Sequence, residues 1–219
     1  MTPRRTLPPT ASVAHAGEGA KLHAPSAERN AGPIAQALRE IAPATGRALE
    51  LASGTGQHAV AFGRAMPGLH WQPTEIDADR RASIDAYVAE AALPNLSPSR
   101  MLDATAKGWG AENDGNDLIL LVNLLHLITT PEAQTVVQEA AQALAPGGCL
   151  ALYGPFLRGG QATSEGDARF DASLRAQDPG IGYKDLAEVS EWIGAAGLTP
   201  PQPREMPANN LLLTARRPA

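Results

Sequence analysis

The sequence predicts an α/β fold built on a doubly wound, mainly parallel sheet. Three observations carry this. Short apolar runs alternate with segments of helical period along the chain, the pattern of βαβ units. The most apolar run, "DLILLVNLL" (117–125), suits a central strand covered on both faces. In "ALELASGTGQH" (48–58), an apolar strand ends in an acid and passes through two glycines into a helix. That is the arrangement in which open α/β sheets bind ligands, at the carboxyl ends of their strands.

The elements follow in order. "PIAQALREIA" (33–42) places Ile34, Ala37, Leu38 and Ile41 on one face, with Pro33 in its first turn. "RALELA" is a short buried strand and "QHAVAFGRAM" a helix in spite of Gly63. "LHWQPTEI" (69–76) is the second strand. "DADRRASIDAYVAEAAL" (77–93) is a helix with Ile84, Val88 and Ala91 inward and its acids early, as the helix dipole favours. A third strand is expected near "LSPSRMLD" (96–103), and "DLILLVNLL" is the fourth. "TPEAQTVVQEAAQALAPGG" (130–148) reads as a helix with Thr130 as N-cap, Pro131 at the first position and Gly147 near the stop. "CLALYGPF" is a strand, "YKDLAEVSEWIGAAG" a helix and "ANNLLLTARR" the last strand. Residues 1–24 are expected to be a flexible tail and 25–219 a single domain. Residues 157–182 form a long polar stretch with no regular pattern, expected to be a lid or substrate loop.

Composition narrows the function. The 219-residue chain carries a formal net charge of −5 and has no basic block beyond two Arg pairs, which argues against a nucleic-acid partner. Aromatic residues make up only 4% of the chain, so the core is aliphatic. The single cysteine, Cys149, reads as a small core residue. No apolar run approaches a membrane span, and the N-terminus lacks a signal-peptide core, so a cytoplasmic location is expected. No set of His and acids has metal-ligand spacing, and no metal is expected.

The glycine loop points to a cofactor that contains a nucleoside. Gly54 and Gly56 lack a Cβ, so a ligand can lie against their backbone, and the helix behind them offers free N–H groups. Glu75 ends the second strand about 20 residues on, the place of a ribose-binding acid. These features alone also admit NAD. Glu50 discriminates: an anion just before the glycines sits poorly beside a pyrophosphate and well beside a cationic amino acid moiety.

The acid–glycine signature resembles motif I of the class I S-adenosylmethionine-dependent methyltransferases, with Ala52 in place of the first glycine. The blocks "RNAGPI", "LYGPF", "FDASLRAQDP" and "EMPANNLLL" extend the resemblance, from about Pro25 to Arg216, to the family of the methyltransferase-like 26 proteins. The resemblance implies a Rossmann-like, seven-stranded sheet with the last strand antiparallel. It implies S-adenosylmethionine as cofactor, S-adenosylhomocysteine as product and a small-molecule acceptor. On it, Glu50, Ala52, Gly54, Thr55 and Gly56 hold the methionine end, Glu75 the ribose, and Ile76, Asp103 and Ala104 the adenine, with Asn123 beneath the cofactor.

His126, just past the fourth strand, and Tyr153, at the end of the fifth, are the candidate catalytic groups. Arg29, Asn30, Asn209 and Asn210 are candidate substrate contacts at junctions between loops and elements; a helix cap at Asn30 and a turn at Asn209-Asn210 are equal alternatives. Arg158, Arg169 and Arg175 are expected to give the 157–182 stretch a basic inner face. Two other readings stand beside the methyltransferase one: an NAD(P)-dependent oxidoreductase, and a non-catalytic module that binds S-adenosylmethionine.

Overall fold

A computed structural model describes residues 13–219. The expected tail falls partly on residues 1–12, which lie outside the described residues. Its remainder forms a hairpin, β1 (His15–Ala16) and β2 (Leu22–His23). From β1 the chain continues through α1 (Pro25–Ile41), β3 (Gly46–Leu51), α2 (Gln57–Ala65), β4 (Leu69–Glu75) and α3 (Ala78–Ala91). Then come β5 (Arg100–Met101), α4 (Trp109–Glu112), β6 (Asn116–Val122), a 3₁₀ turn (Leu125–Leu127), α5 (Thr130–Ala143) and β7 (Leu144–Gly154). The last part holds β8 (Phe156–Leu157), α6 (Glu165–Gln177), β9 (Lys184–Asp185), α7 (Leu186–Ala195), β10 (Gln202–Glu205) and β11 (Leu211–Arg216).

The hairpin is tied down by polar contacts rather than apolar burial. The Leu22 amide donates to Ser83 Oγ at 2.8 Å, and the Ala24 amide to Gln57 Oε1 at 2.7 Å. The Lys21 ammonium pairs with Glu90 and lies over the Tyr87 ring.

The main sheet has seven strands in the order β10-β11-β7-β6-β3-β4-β5. β3, β4, β5, β6 and β7 run parallel, and β11 is antiparallel to β7 and to β10. Alternate residues face opposite sides, as the strand period of two requires. Leu49, Ile119, Leu121, Leu150 and Leu152 pack with Val136 and Ala140 of α5 and Val189 of α7. Ala48, Leu118, Leu120 and Ala151 pack with Ile34 and Leu38 of α1, Phe62 of α2 and Ile84 of α3. Cys149 is buried in this second layer.

Four local expectations are corrected. Pro33 is not in the first turn of α1 but inside it; Pro25 takes the start, where a missing N–H costs nothing. The N-cap of α5 is Thr129, not Thr130: Thr129 and Glu132 cap each other's backbone in a capping box. Gly147 does not stop α5, which ends at Ala143; it sits within β7 at φ 78°. The stretch 157–182 is not irregular, because it contains α6. Ser164 caps that helix, accepting from the Asp167 amide. Leu174, Ile181 and Tyr183 bury against Leu127 of the 3₁₀ turn, with Phe170 packed on them. β10 carries no sequence signal, since all four of its residues are exposed at the sheet edge.

Candidate active site

The chain leaves β3 toward β4 and β5 on one side and returns as β6 and β7 on the other. This switch point opens a crevice at the carboxyl ends of the strands. A cleft of about 1160 Å³ fills it. Pockets for one drug-sized ligand run to about 300–1,000 Å³, so the cleft exceeds what a single such ligand needs.

One half of the cleft is lined by Ala52, Ser53, Gly54 and Thr55 of the glycine loop and by Glu75, Ile76 and Arg80. The loop is held from below: the Ser53 amide donates to the Thr74 carbonyl at 2.8 Å, and Thr74 Oγ1 to the Glu50 carbonyl at 2.8 Å. Ala52 takes φ 49°, a left-handed conformation that favours glycine, at the place where motif I has glycine. Gly54, at φ 61°, faces the cleft, and a Cβ there would meet only an Arg80 nitrogen at 3.6 Å. Gly56 faces the protein instead. A Cβ there would lie 2.7 Å from the Ile84 Cα of α3, so this glycine lets α2 and α3 pack closely rather than making room for a ligand.

Two acids bracket the loop. Glu75 Oε2 accepts from the Gly54 amide at 3.1 Å, while Oε1 accepts from the Ile76 and Asp77 amides at 2.8 and 3.2 Å. Three backbone donors thus fix its carboxylate at the cleft wall and leave about one lone-pair site for a ligand. Glu50 is 1% exposed, and neither carboxylate oxygen has a hydrogen-bond partner. Burial pushes its carboxyl up to about 8, opposed by the nearby Ser53 hydroxyl and reinforced by the Glu75 charge. Glu50 stands behind the loop and is not among the residues lining the cleft; a buried acid without a hydrogen-bond partner is costly to ionise, and it stays protonated unless a cationic partner reaches it. The ammonium of an amino acid moiety is such a partner, and Gly54 and Glu75 provide the surface and the diol acceptor that a nucleoside needs. The residues present therefore fit S-adenosylmethionine. Replacing Glu75 by Ala is expected to weaken its binding by about 2–4 kcal/mol, read by calorimetry. Parent-like affinity would remove the ribose assignment.

The other half of the cleft is lined by Asn123, Leu124, His126 and Leu127 beyond β6, by Pro155, by Asp167 and Phe170 of α6, and by Tyr183, Ala208 and Asn210. Asn123 takes φ 56°, with its amide donating to the Tyr153 carbonyl at 2.8 Å. His126 is buried, and its ring lies edge-on to Phe170 (6.0 Å) and Tyr183 (5.8 Å). Burial and then the Lys184 charge push its pKa down to about 3, against the pull of Asp171. Lys184 is itself buried, donating to the carbonyls of Ile128 (2.9 Å) and Gly182 (2.8 Å).

The remaining candidates are placed as follows. Asn30 Oδ1 meets His58 Nε2 at 2.7 Å, which links α1 and α2. Neither Asn30 nor Tyr153 is among the residues lining the cleft, whereas Arg29 and His58 are. Asp103 Oδ1 accepts from the amide and hydroxyl of Thr105 at 3.0 and 2.7 Å, a turn cap, and Asp103 and Ala104 lie off the cleft wall. Asn209 donates to Asp167 Oδ2 at 3.0 Å, and Asn210 donates to the carbonyls of Pro207 and Ala208. The expected basic inner face of 157–182 is absent. Arg158 pairs with Glu205, Arg169 with Glu165 and Arg175 with Asp171, and none of the three lines the cleft. Sequence reading missed Asp167, Phe170 and Tyr183. The available signal was scarcity: in a chain with three Phe and three Tyr, Phe170 falls inside this stretch and Phe156 and Tyr183 flank it.

Among the described residues, no group of His, Cys, Asp and Glu is placed to hold a metal, and no helix is long and apolar enough to cross a membrane.

Strand order and cleft together define the class I methyltransferase fold. Solved structures that share it include an O-methyltransferase family protein from Burkholderia thailandensis, with a TM-score of 0.76 at 19% identity, covering 89% of this chain and 58% of that one. Human N-acetylserotonin methyltransferase in complex with S-adenosylmethionine has a TM-score of 0.73 at 14% identity, over 89% and 53% of the two chains. An O-methyltransferase family 2 protein from Planctomyces limnophilus in complex with apigenin has a TM-score of 0.73 at 19% identity, over 88% and 60%. The chain thus spans a little over half the length of these proteins. Residues 21–217 match the family described as protein of unknown function, DUF938, and the chain belongs to that family.

Proposed function

We propose that this protein is an S-adenosylmethionine-dependent methyltransferase acting on a small molecule in the cytoplasm. The single observation that carries the reading is Glu50, a fully buried carboxyl group whose oxygens meet no hydrogen-bond partner within bonding geometry, set behind the glycine loop. The resemblance of several sequence blocks to the methyltransferase-like 26 proteins supports the same reading. So does the fold shared with methyltransferases that bind small molecules, among them the complex with apigenin. A dinucleotide-binding oxidoreductase has no use for Glu50, and the β11–β10 pair at the sheet edge departs from the usual six-stranded dinucleotide order.

The bound cofactor supplies an activated methyl group on a sulfonium. This chain's residues supply alignment and exclusion of water, the main requirements of an in-line displacement from a good leaving group. Glu50 receives the ammonium end, Glu75 the ribose hydroxyls, and Ile76 covers the base. Asp103 and Ala104 reach the adenine only if the turn after β5 closes on it. Asn123 and His126 face the second half of the cleft. With its pKa near 3, His126 is neutral at pH 7 and a weak base, so its role is to accept a hydrogen bond from the acceptor, not to take its proton. The stretch 157–182 acts as the lid, because α6 brings Asp167 and Phe170 to the cleft wall.

Thermal shift with S-adenosylmethionine, S-adenosylhomocysteine and NAD tests the reading. A ligand at ~100 times its Kd stabilises by roughly 2.7 kcal/mol, and only the first two should do so. Binding without turnover in a screen of small acceptors with labelled methyl donor would leave a non-catalytic module. For the lid, hydrogen exchange across 157–182 should slow in the presence of S-adenosylhomocysteine and an acceptor together. Equal exchange in the free, binary and ternary states would make it an ordinary surface segment.

A further inference from the structure

The part of the cleft not needed for the cofactor has a definite chemistry. Phe170 and Tyr183, with His126, make a mutually edge-on trio of rings, the Phe170–Tyr183 centroids 6.1 Å apart. Beside them stands Asp167. Its Oδ2 accepts from Thr163 Oγ1 (3.1 Å), Ser164 Oγ (2.6 Å) and Asn209 Nδ2 (3.0 Å), and its Oδ1 from the Tyr183 hydroxyl at 3.3 Å. Burial pulls its pKa upward, but the hydrogen bonds from Ser164, Asn209, Thr163 and Tyr183 outweigh that and keep it ionised. All four donors are neutral. Among the described residues, no Lys or Arg pairs with Asp167. The long 3.3 Å contact leaves Oδ1 open to a stronger donor. The arginines that line the cleft, Arg29 and Arg80, stand on α1 and α3, which pack on α2 behind the glycine loop.

A carboxylate without a cation, next to aromatic rings in a concave wall, is the recognition chemistry of an organic ammonium. We propose that the acceptor is a small molecule with a protonated amine beside a ring, its amine held by Asp167 and its ring by Phe170 and Tyr183. This rests on the methyltransferase reading of the same cleft. It differs from the basic inner face expected of 157–182, whose arginines pair with acids and do not line the cleft. The amine is the anchoring group; the atom that receives the methyl lies elsewhere on the molecule, toward Asn123 and His126.

Three probes with one ring separate charge from shape: tyramine, 4-ethylphenol and 4-hydroxyphenylacetate, titrated at pH 7 into the protein with and without S-adenosylhomocysteine. The expected order is tyramine, then the phenol, then the acid, with tyramine about tenfold tighter than the acid. Asp167→Asn should abolish that preference, with the melting curve as the check on folding. Phe170→Leu, which leaves the α6 cap intact, should weaken all three probes while keeping their order. The proposal is overturned if the acid binds as tightly as the amine, if Asp167→Asn keeps the preference, or if none of the three binds. Failure of S-adenosylhomocysteine to bind sinks the methyltransferase reading separately, and the probes in the ligand-free protein still decide the chemistry of the pocket.

Discussion

Glu50→Gln is expected to abolish measurable S-adenosylmethionine binding and, at the same time, to remove a fall in the ligand-free protein's stability with rising pH. Glu50 is held protonated in the folded chain up to about 8, whereas the unfolded carboxyl ionises near 4.5. Between these values the folded state carries the extra proton. Stability therefore falls with rising pH across that window, by about 1.4 kcal/mol per unit, and the fall should vanish in the Gln variant. Binding shows the mirror image. The complex needs the carboxylate, so affinity in the parent should rise with pH up to about 8, by about tenfold per unit, and then stop rising. Urea unfolding at several pH values and calorimetry over the same range read the two halves. A parent whose stability and affinity are flat across the window would show that Glu50 is ionised and already satisfied.

Gly56→Val is expected to damage the fold before it damages the site. The backbone at Gly56 has φ 95°, and a Cβ there would meet the Ile84 backbone at 2.7 Å. A β-branched residue adds left-handed strain to the separation of α2 from α3, together roughly 2–5 kcal/mol of lost stability. Chemical denaturation should show that loss in the absence of any ligand. Gly54→Ala is the contrasting variant, because its Cβ would meet only the far end of Arg80 and would point into the cleft. It should cost less stability and more affinity. A Gly56→Val protein with parent stability and lost binding would return Gly56 to the ligand surface.

The two glycines show what a sequence can and cannot convey. The pattern acid, glycine, glycine, helix is legible because strand and helix periods locate it at the carboxyl edge of the sheet. Which glycine faces the ligand is not legible, because that depends on how α3 crosses α2. The same division runs through the fold. The alternating elements from β3 to β7 follow from apolar periods of two and 3.6, which are local. β10 is missed because an exposed edge strand with a proline has no apolar period to read. α6 is missed because only Leu174 among its residues is fully buried, so its polar composition resembles a loop.

Glu50, behind the glycine loop, and Glu75, on the cleft wall, can be named as candidates from their places at the ends of β3 and β4. Asp167, Phe170 and Tyr183 cannot, because they reach the cleft through tertiary packing of α6 on the turn after β6. The arginines of 157–182 mislead for a related reason. Each finds an acidic partner away from the cleft wall, and charge counted along a segment does not say which face carries it.

The most direct test of the account is calorimetric titration of the protein with S-adenosylhomocysteine and with NAD at pH 7. The account expects one molecule of S-adenosylhomocysteine bound per chain, with release of about one proton as Glu50 ionises, seen as a heat that depends on the buffer. NAD should give no binding heat. Binding of NAD, or binding of S-adenosylhomocysteine with no proton released, would contradict it.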